Sequence, residues 1–393
     1  MKNQYKLDWL EALRGIAAVL VVLTHARYFM FNTPTWEKAE EVLRPGAMGV
    51  DLFFIISGFI MAYSTRNSDG SLRYAKIFAI KRFARIWPVY TVITFCWVVA
   101  SQDTAAYFTS SDTLLQFLKS ILFIPTSINN PPYFGAALPL GWTLEFEMYF
   151  YAIFCVSLFF KKWRWPVLFT WMIVTVLLIP MQQNLAQSAY DVSRNLSFSP
   201  IYFNLMSNPI VLEFLAGAAI GLLYIQEWAR IRNSAVAYHL LGLSIAFTIW
   251  IGYSRVVDFH GPTKWGGALA LTVLVMAIAS KTVKIPAPRL LVWLGSISFS
   301  LYLSHTITQH YFGLAMLKLQ MEAHMHSWGY IFMTTVTAIS VAAIVHRYLE
   351  KKLSESMRNK LLALLVEQKK TRPVEKGVDA AVVTENSKPA SPA

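Results

Sequence analysis

Ten apolar stretches, each long enough to cross a lipid bilayer as a helix, constrain the fold of this chain most strongly. A helix needs about 20 mainly apolar residues to span the hydrocarbon core of a membrane. The stretches cover residues 10–31, 46–64, 86–102, 141–160, 164–181, 210–226, 235–253, 264–280, 293–315 and 328–348. We therefore predict an all-α integral membrane protein, built as a bundle of about ten transmembrane helices.

The composition excludes an ordinary soluble enzyme and a largely disordered chain. Of the 393 residues, 55% are apolar and only 15% are charged, whereas about 25% are charged in a typical soluble domain. The 13 tryptophans and 18 tyrosines fit the aromatic belts of a membrane protein. The two cysteines, Cys96 and Cys155, lie in apolar stretches, so neither a disulfide nor a metal site is predicted.

The net charge of +13 is mostly a signal of membrane topology. Lysine and arginine are concentrated in the segments on the same side as the two termini, and such segments usually face the cytoplasm. We therefore predict cytoplasmic termini, contact with membrane lipids and no nucleic-acid partner. Residues 1–350 are predicted to form the transmembrane domain. Residues 351–393 are predicted to form a cytoplasmic basic amphipathic stretch and a disordered tail.

Ionisable residues inside the apolar stretches point to a functional site, because each charge at mid-bilayer costs about 2.5–3.5 kcal/mol. Arg14 and His25 are 11 residues apart, which places them on one face of a helix about 16 Å apart. Asp51 is predicted at the same depth as His25, near the outer side. We predict that Asp51 orients His25, which then acts as a general base.

Two glutamates in the fourth stretch compete for the same role. Glu145 and Glu147 are separated by roughly 200° around a helix, so one pocket does not receive both. Trp142 shares a face with Glu145, and Thr143 shares a face with Glu147. The spacing alone leaves the choice open.

A cationic cluster is predicted at the cytoplasmic end of the first helix. Arg82 and Arg85 share a helix face and join Arg14 at this depth. The planar guanidinium group suits phosphate oxygens, which favours a phosphorylated donor that enters from the cytoplasm. Ordinary topological charge or contact with anionic lipids is the alternative.

Four blocks of residues resemble the acyltransferase family 3 membrane enzymes, which are bacterial O-acyltransferases of surface polysaccharides, lipopolysaccharide and peptidoglycan. The blocks, in order, are Leu10–Ala18 followed by His25, Gly49–Phe59, Arg82–Pro88 and Gly141–Tyr151. The fourth block selects Glu147 as the family glutamate. The resemblance covers about residues 10–350.

The resemblance implies acyl-CoA, usually acetyl-CoA, as the donor substrate, with no permanently bound cofactor and no metal. Arg14, Arg82 and Arg85 would bind the CoA end, and His25 would serve acyl transfer. The acceptor would be a hydroxyl of a surface or lipid-linked glycan, such as exopolysaccharide or lipopolysaccharide O-antigen, at the outer side of the bacterial inner membrane. We expect the chain to work without the fused SGNH esterase-like domain of many members.

Further residues are candidates for the pocket. Direct attack of the hydroxyl on the thioester is favoured, while Ser57 is a candidate nucleophile whose alternative role is helix packing. Glu147 and Trp142 are expected to shape the acceptor site or support the pocket. Tyr302 and His305 are expected to face the cavity, with a hydrogen bond between helices as the alternative.

The competing class of protein is a transporter or flippase for a lipid-linked glycan. Charges within the membrane would then line a translocation path. Release of free thiol from acetyl-CoA in the presence of a glycan distinguishes the enzyme from the transporter. A non-catalytic membrane subunit, the third possibility, would not bind acetyl-CoA.

Overall fold

The computed structural model describes residues 7–182 and 189–371, and all regular elements within these ranges are helical. This confirms the predicted all-α class. The α-helices are α1 (Asp8–Ala26), α2 (Trp36–Leu43), α3 (Gly49–Ser64), α4 (Leu72–Ser101), α5 (Thr104–Thr109), α6 (Ser111–Ile121), α7 (Gly141–Leu158), α8 (Arg164–Ile173), α9 (Tyr202–Met206), α10 (Val211–Ile225), α11 (Ser234–Tyr253), α12 (Trp265–Ala279), α13 (Arg289–Ser296), α14 (Ser298–Lys318), α15 (Trp328–Val345) and α16 (Ser354–Thr371).

Several of these helices are long and apolar enough to cross a membrane. Among the described residues, six helical segments meet that criterion, or seven if α13 and α14, which are bent by 73°, form one broken span. Helices α10 and α12 are apolar but shorter. The protein is thus a multi-pass membrane protein by length and composition, while the count of ten spans and the cytoplasmic termini stay predictions.

Helices α3 and α10 pack with their backbones in direct contact because each presents a glycine to the other. A Cβ atom on Gly58 would lie 1.9 Å from the carbonyl oxygen of Phe214. A Cβ atom on Gly217 would lie 1.9 Å from the carbonyl oxygen of Ile55. Small residues allow such close approach in membrane helices. The contact holds α3, which carries Ser57 and Asp51, in a fixed position.

Gly217→Ala is expected to destabilise the protein by about 1–3 kcal/mol, because the added methyl group forces α3 and α10 apart. Gly242→Ala is the matched control, since no atom lies within 4 Å of a Cβ built there in α11. The control should be neutral or stabilising by about 0.5–1 kcal/mol. Thermal unfolding in detergent measures both, and a Gly217→Ala protein as stable as the wild type would contradict the packing described.

The C-terminal helices extend beyond the apolar region. Helix α15 continues through π-helical turns at His346–Leu353 into α16. Met357 and Leu361 of α16 lie beside Trp87 and Thr91 of α4. The basic stretch predicted to begin at residue 351 is therefore helical through Thr371, and it packs against the helix that carries Arg82 and Arg85. The predicted disordered tail, residues 372–393, lies outside the described residues.

Candidate active site

A cavity between α1, α3, α4, α7 and α14 brings the three predicted donor-binding arginines together. It encloses about 730 Å³ of space, including open solvent, and Arg14, Arg82 and Arg85 all line it. Three separate helical segments supply the charged groups of the cavity, because α1 carries Arg14, α4 carries the other two arginines and α7 carries Glu147. The cavity is therefore cationic at one end.

The three guanidinium groups differ in how many hydrogen bonds and ion pairs they make within the protein. Arg14 donates hydrogen bonds to Glu11 at 3.2 Å and to Ser298 at 3.0 Å. Arg82 lies 5.4 Å from the centre of the Tyr151 ring. No hydrogen bond or ion pair to the Arg85 guanidinium is found in residues 7–182 and 189–371. Arg85 in particular can bind an incoming anion.

A second cavity meets Arg82 and Arg85 from the outside of the bundle. It contains about 970 Å³ of space, including open solvent. Its other basic residues, which the sequence analysis did not assign to a site, are Lys81, Lys351 and Arg358. The two cavities share Arg82 and Arg85. These arginines therefore lie at the boundary between the open outer cavity, which is the entrance, and the inner cavity.

Two carboxylates, Glu350 and Glu355, lie at this entrance, and Glu350 is the one that contacts α14. It accepts hydrogen bonds from Ser300 and from Nδ1 of His346, both at 2.7 Å. It also interacts electrostatically with Arg85. These contacts fix the π-helical turns that follow α15 against the start of α14.

The structure places Glu147, and not Glu145, in the cavity. Glu147 accepts hydrogen bonds from Tyr151 and, at 3.3 Å, from Ser57. Glu145 is fully buried on another face of α7, and no hydrogen bond to its carboxyl group is found among the described residues. The choice that helix spacing left open thus falls on the glutamate that lies near Arg82.

Ser57 lies in the part of the cavity that Glu147 and Tyr151 line. Its hydroxyl group is 3.3 Å from both Glu147 and the Tyr151 hydroxyl. It is also next to Gly58, which contacts α10. The serine therefore contributes to a polar network within the cavity as well as to a tightly packed helix.

A hydrogen bond joins α7 and α14 at the part of the cavity about two helical turns from Tyr151 and Arg82. The hydroxyl groups of Thr143 and Tyr302 are 2.8 Å apart, and both residues line the cavity. The Tyr302 ring lies 6.2 Å from the ring of His305, and the His305 ring lies 5.0 Å from that of His25. The two histidines therefore lie directly behind the Thr143–Tyr302 pair.

The predicted contact between Asp51 and His25 is wrong. Nδ1 of His25 donates to the carbonyl oxygen of Val21, 2.8 Å away and one helical turn earlier. A carbonyl oxygen only accepts, so the proton is on Nδ1 and Nε2 keeps a lone pair. The backbone of α1 thus fixes the tautomer that a general base requires, and Asp51 is not needed for it.

Asp51 instead binds the loop between α11 and α12. Its carboxylate accepts a hydrogen bond from Nδ1 of His260 at 2.7 Å and one from the Gly261 amide at 3.0 Å. Asp51 is fully buried, and His260 is 5% exposed. No feature of the sequence points to His260, because a single histidine in a short loop carries no periodic signal and lies 209 residues from its partner.

Trp142 lies with His260 and apart from Glu147. Its ring is 5.7 Å from the His260 ring and 5.2 Å from the Tyr133 ring. Glu147 lies beyond the Thr143–Tyr302 pair, in the cavity that the arginines line. Trp142 and Glu147 therefore do not shape one pocket together. Trp142 lies among aromatic rings beside His260, and Glu147 lies in the cavity that the arginines line.

Comparison with known families identifies the class of protein to which this membrane bundle belongs. A family model described as an acyltransferase domain matches residues 7–347. The chain belongs to this acyltransferase family.

Among similar curated proteins is the exopolysaccharide production protein ExoZ of Rhizobium meliloti, 30% identical over 79% of this chain and 92% of that protein. Acyltransferase MdmB of Streptomyces mycarofaciens is 23% identical over 78% of this chain and 80% of its own length. A provisionally named peptidoglycan O-acetyltransferase of Bacillus subtilis, YrhL, is 24% identical over 75% of this chain and 47% of its own length. No solved structure is significantly similar to this chain.

Proposed function

We propose that the protein transfers an acetyl group from acetyl-CoA to a hydroxyl of a surface or lipid-linked glycan, with His25 as the general base. The observation that carries this proposal is the cavity that begins at Arg82 and Arg85 and ends at the Thr143–Tyr302 pair, directly before His305 and His25. A long donor bound there would have its phosphorylated end at the arginines and its reactive end toward the Thr143–Tyr302 pair.

The donor enters at the basic end. Its phosphates bind Arg14, Arg82 and Arg85, because guanidinium groups form paired hydrogen bonds with phosphate oxygens. Its pantetheine arm lies along the cavity past Ser57 and Glu147. The thioester then reaches His25 when the Thr143–Tyr302 pair separates.

The chemistry balances without a further reactant. Nε2 of His25 removes the proton from a sugar hydroxyl, and the hydroxyl oxygen attacks the thioester carbonyl carbon. The C–S bond breaks, CoA leaves as the thiolate, and the His25 imidazolium returns the proton to it. The products are an acetylated glycan and free CoA. Base catalysis of this kind contributes about 10²–10⁴-fold.

The acceptor and the location follow from the relatives and the charge distribution. The names of ExoZ and YrhL associate those proteins with exopolysaccharide production and peptidoglycan O-acetylation. We infer a glycan acceptor here by similarity. The basic end would face the cytoplasm under the positive-inside rule, which places His25 toward the outer side of the bacterial inner membrane.

The test uses purified protein, acetyl-CoA and base-deacetylated surface polysaccharide from cells that lack the gene. The proposal expects free thiol and polysaccharide-bound acetyl in equal amounts. A transporter of lipid-linked glycan would release no thiol, and that outcome would refute the enzyme assignment.

Tyr302→Phe is expected to raise the rate of acetyl-CoA hydrolysis in the absence of acceptor by about 2–10-fold. The substitution keeps the ring and removes the hydrogen bond to Thr143, and one such bond contributes about 0.5–1.5 kcal/mol. Opening of the cavity toward His25 then costs less. Thiol release from acetyl-CoA measures this rate.

Thr143→Val is the matched partner, because it removes the other half of the same hydrogen bond. It should give a similar increase, and the double variant should add little, since both substitutions remove the Thr143–Tyr302 bond; each also removes a bond to the Leu140 carbonyl oxygen, at 3.0 and 3.4 Å. Unchanged hydrolysis in both single variants would contradict a closed gate at this position.

A further inference from the structure

The loop between α11 and α12 carries His260, whose contacts are those expected of a substrate-binding residue. Nδ1 of His260 is held by the buried carboxylate of Asp51 at 2.7 Å, and the adjacent Gly261 amide binds the other carboxylate oxygen at 3.0 Å. Both contacts fix the ring, so that Nε2 is its one remaining polar atom. No hydrogen bond to Nε2 is found within the described residues.

A second carboxyl group, on α10, lies beside this arrangement. Glu213 is 1% exposed and lies beside Asp51. The absence of a side chain at Gly266 leaves room for it, because a Cβ atom there would lie 2.3 Å from a Glu213 carboxylate oxygen. Burial of two carboxyl groups is costly, and a loop anchor alone does not require it.

The surroundings of His260 are aromatic. Its ring lies 5.7 Å from that of Trp142 and 5.6 Å from that of Trp265, and Tyr133 packs on Trp142. His260 and His25 are near enough to interact electrostatically. Aromatic rings beside a few fixed polar groups are typical of sites that bind small organic molecules, and sugars present both apolar C–H faces and hydroxyl groups.

We propose that His260, held by Asp51, is an acceptor-binding residue: its Nε2 bonds a hydroxyl of the glycan while His25 deprotonates the hydroxyl that becomes acetylated. This inference rests on the proposed function and deepens it. It assigns the glycan to the side of Trp142 and His260, and the thioester to the side of Arg82 and Glu147. It also gives Asp51 the role of a positioning residue for His260.

Two substitutions separate acceptor binding from loop anchoring. In His260→Asn the amide N–H takes the place of Nδ1–H and keeps the bond to Asp51, but the Nε2 position is lost. In His260→Gln an amide group reaches the Nε2 position, but the bond to Asp51 is lost. An acceptor-binding role predicts that Asn is the more damaging change, whereas an anchoring role predicts the reverse order.

The assay uses full-length protein, acetyl-CoA and base-deacetylated surface polysaccharide from cells that lack the gene. For His260→Asn we expect kcat/KM for the polysaccharide to fall about 10-fold or more, with the KM for acetyl-CoA unaltered. Wild-type kinetics in His260→Asn, combined with a defect in His260→Gln, would overturn the inference. Absence of acetyl transfer by the wild type would instead refute the proposed function.

A chemical footprint keeps the inference testable if either variant fails to fold. Diethyl pyrocarbonate modifies accessible imidazole nitrogens, and mass spectrometry of the wild type reads the modification of each histidine. The deacetylated polysaccharide should protect His260 from the reagent, and fully acetylated polysaccharide should protect it less. Modification of His260 that neither glycan changes, or no modification at all, would overturn the inference.

Discussion

His25→Ala is expected to lower acetyl transfer by about 10²–10⁴-fold while the protein remains folded. The substitution removes the only group proposed to take the proton from the acceptor hydroxyl, and general bases contribute an effect of this size. The ring makes one hydrogen bond, to the Val21 carbonyl oxygen at 2.8 Å, so its loss should change stability little. The rate of acetyl incorporation into deacetylated polysaccharide measures the effect.

His239→Ala provides the matched control. His239 also donates from Nδ1 to a carbonyl oxygen one turn earlier in its helix, at 2.7 Å, but it is exposed on α11 and does not line the cavity. The control should transfer acetyl at the wild-type rate. A folded His25→Ala protein with normal turnover would refute the assignment of His25 as the base.

Arg85→Gln is expected to raise the KM for acetyl-CoA by about 10–100-fold. Hydrogen bonds to charged groups contribute about 1.5–3 kcal/mol, and no carboxylate among the described residues is within ion-pair distance of Arg85, since Glu350 acts on it only at longer range. Arg82→Gln should weaken the binding of acetyl-CoA as well, since both arginines line the inner cavity and its entrance. Steady-state kinetics at saturating acceptor measures the change.

The donor itself supplies the sharper control. S-acetylpantetheine carries the thioester but no phosphates, so Arg85→Gln should not affect its use. Arg73→Gln, an exposed arginine earlier on α4, should leave the KM for acetyl-CoA unchanged. Equal defects with acetyl-CoA and S-acetylpantetheine would show that Arg85 does not act through phosphate binding.

The class of fold and the cationic end of the site follow from local sequence features. Apolar stretches of helical length predict membrane helices one at a time, without knowledge of their neighbours. Arg14, Arg82 and Arg85 meet at one cavity because the charge distribution puts them at the same end and the spacing of Arg82 and Arg85 puts them on one face. Neither inference requires the packing order of the helices.

The partner of Asp51 was not predictable in this way. The sequence gives the depth of a residue along its helix but not the direction in which the helix turns it, so Asp51 was matched to His25 on depth alone. The rotation of α3 directs the carboxylate to His260. A contact across 209 residues depends on how a loop returns to the bundle, which no local pattern encodes.

The separation of Trp142 from Glu147 has a similar origin. Five residues along α7 advance about 7.5 Å and turn about 140°, so one sequence block serves two places. Trp142 faces His260, and Glu147 faces Ser57 and Tyr151. The single sequence block Gly141–Tyr151 therefore supplies residues to both sides of the Thr143–Tyr302 pair.

Transfer across a sealed membrane tests the central claim most directly. Purified protein is reconstituted into vesicles that contain deacetylated polysaccharide, and membrane-impermeant acetyl-CoA with a labelled acetyl group is added outside. The account predicts label on the enclosed polysaccharide and CoA in the outer solution, with both lost in His25→Ala vesicles. Label that appears only when donor and polysaccharide are on the same side of the membrane would contradict a donor path from the arginine cavity to His25.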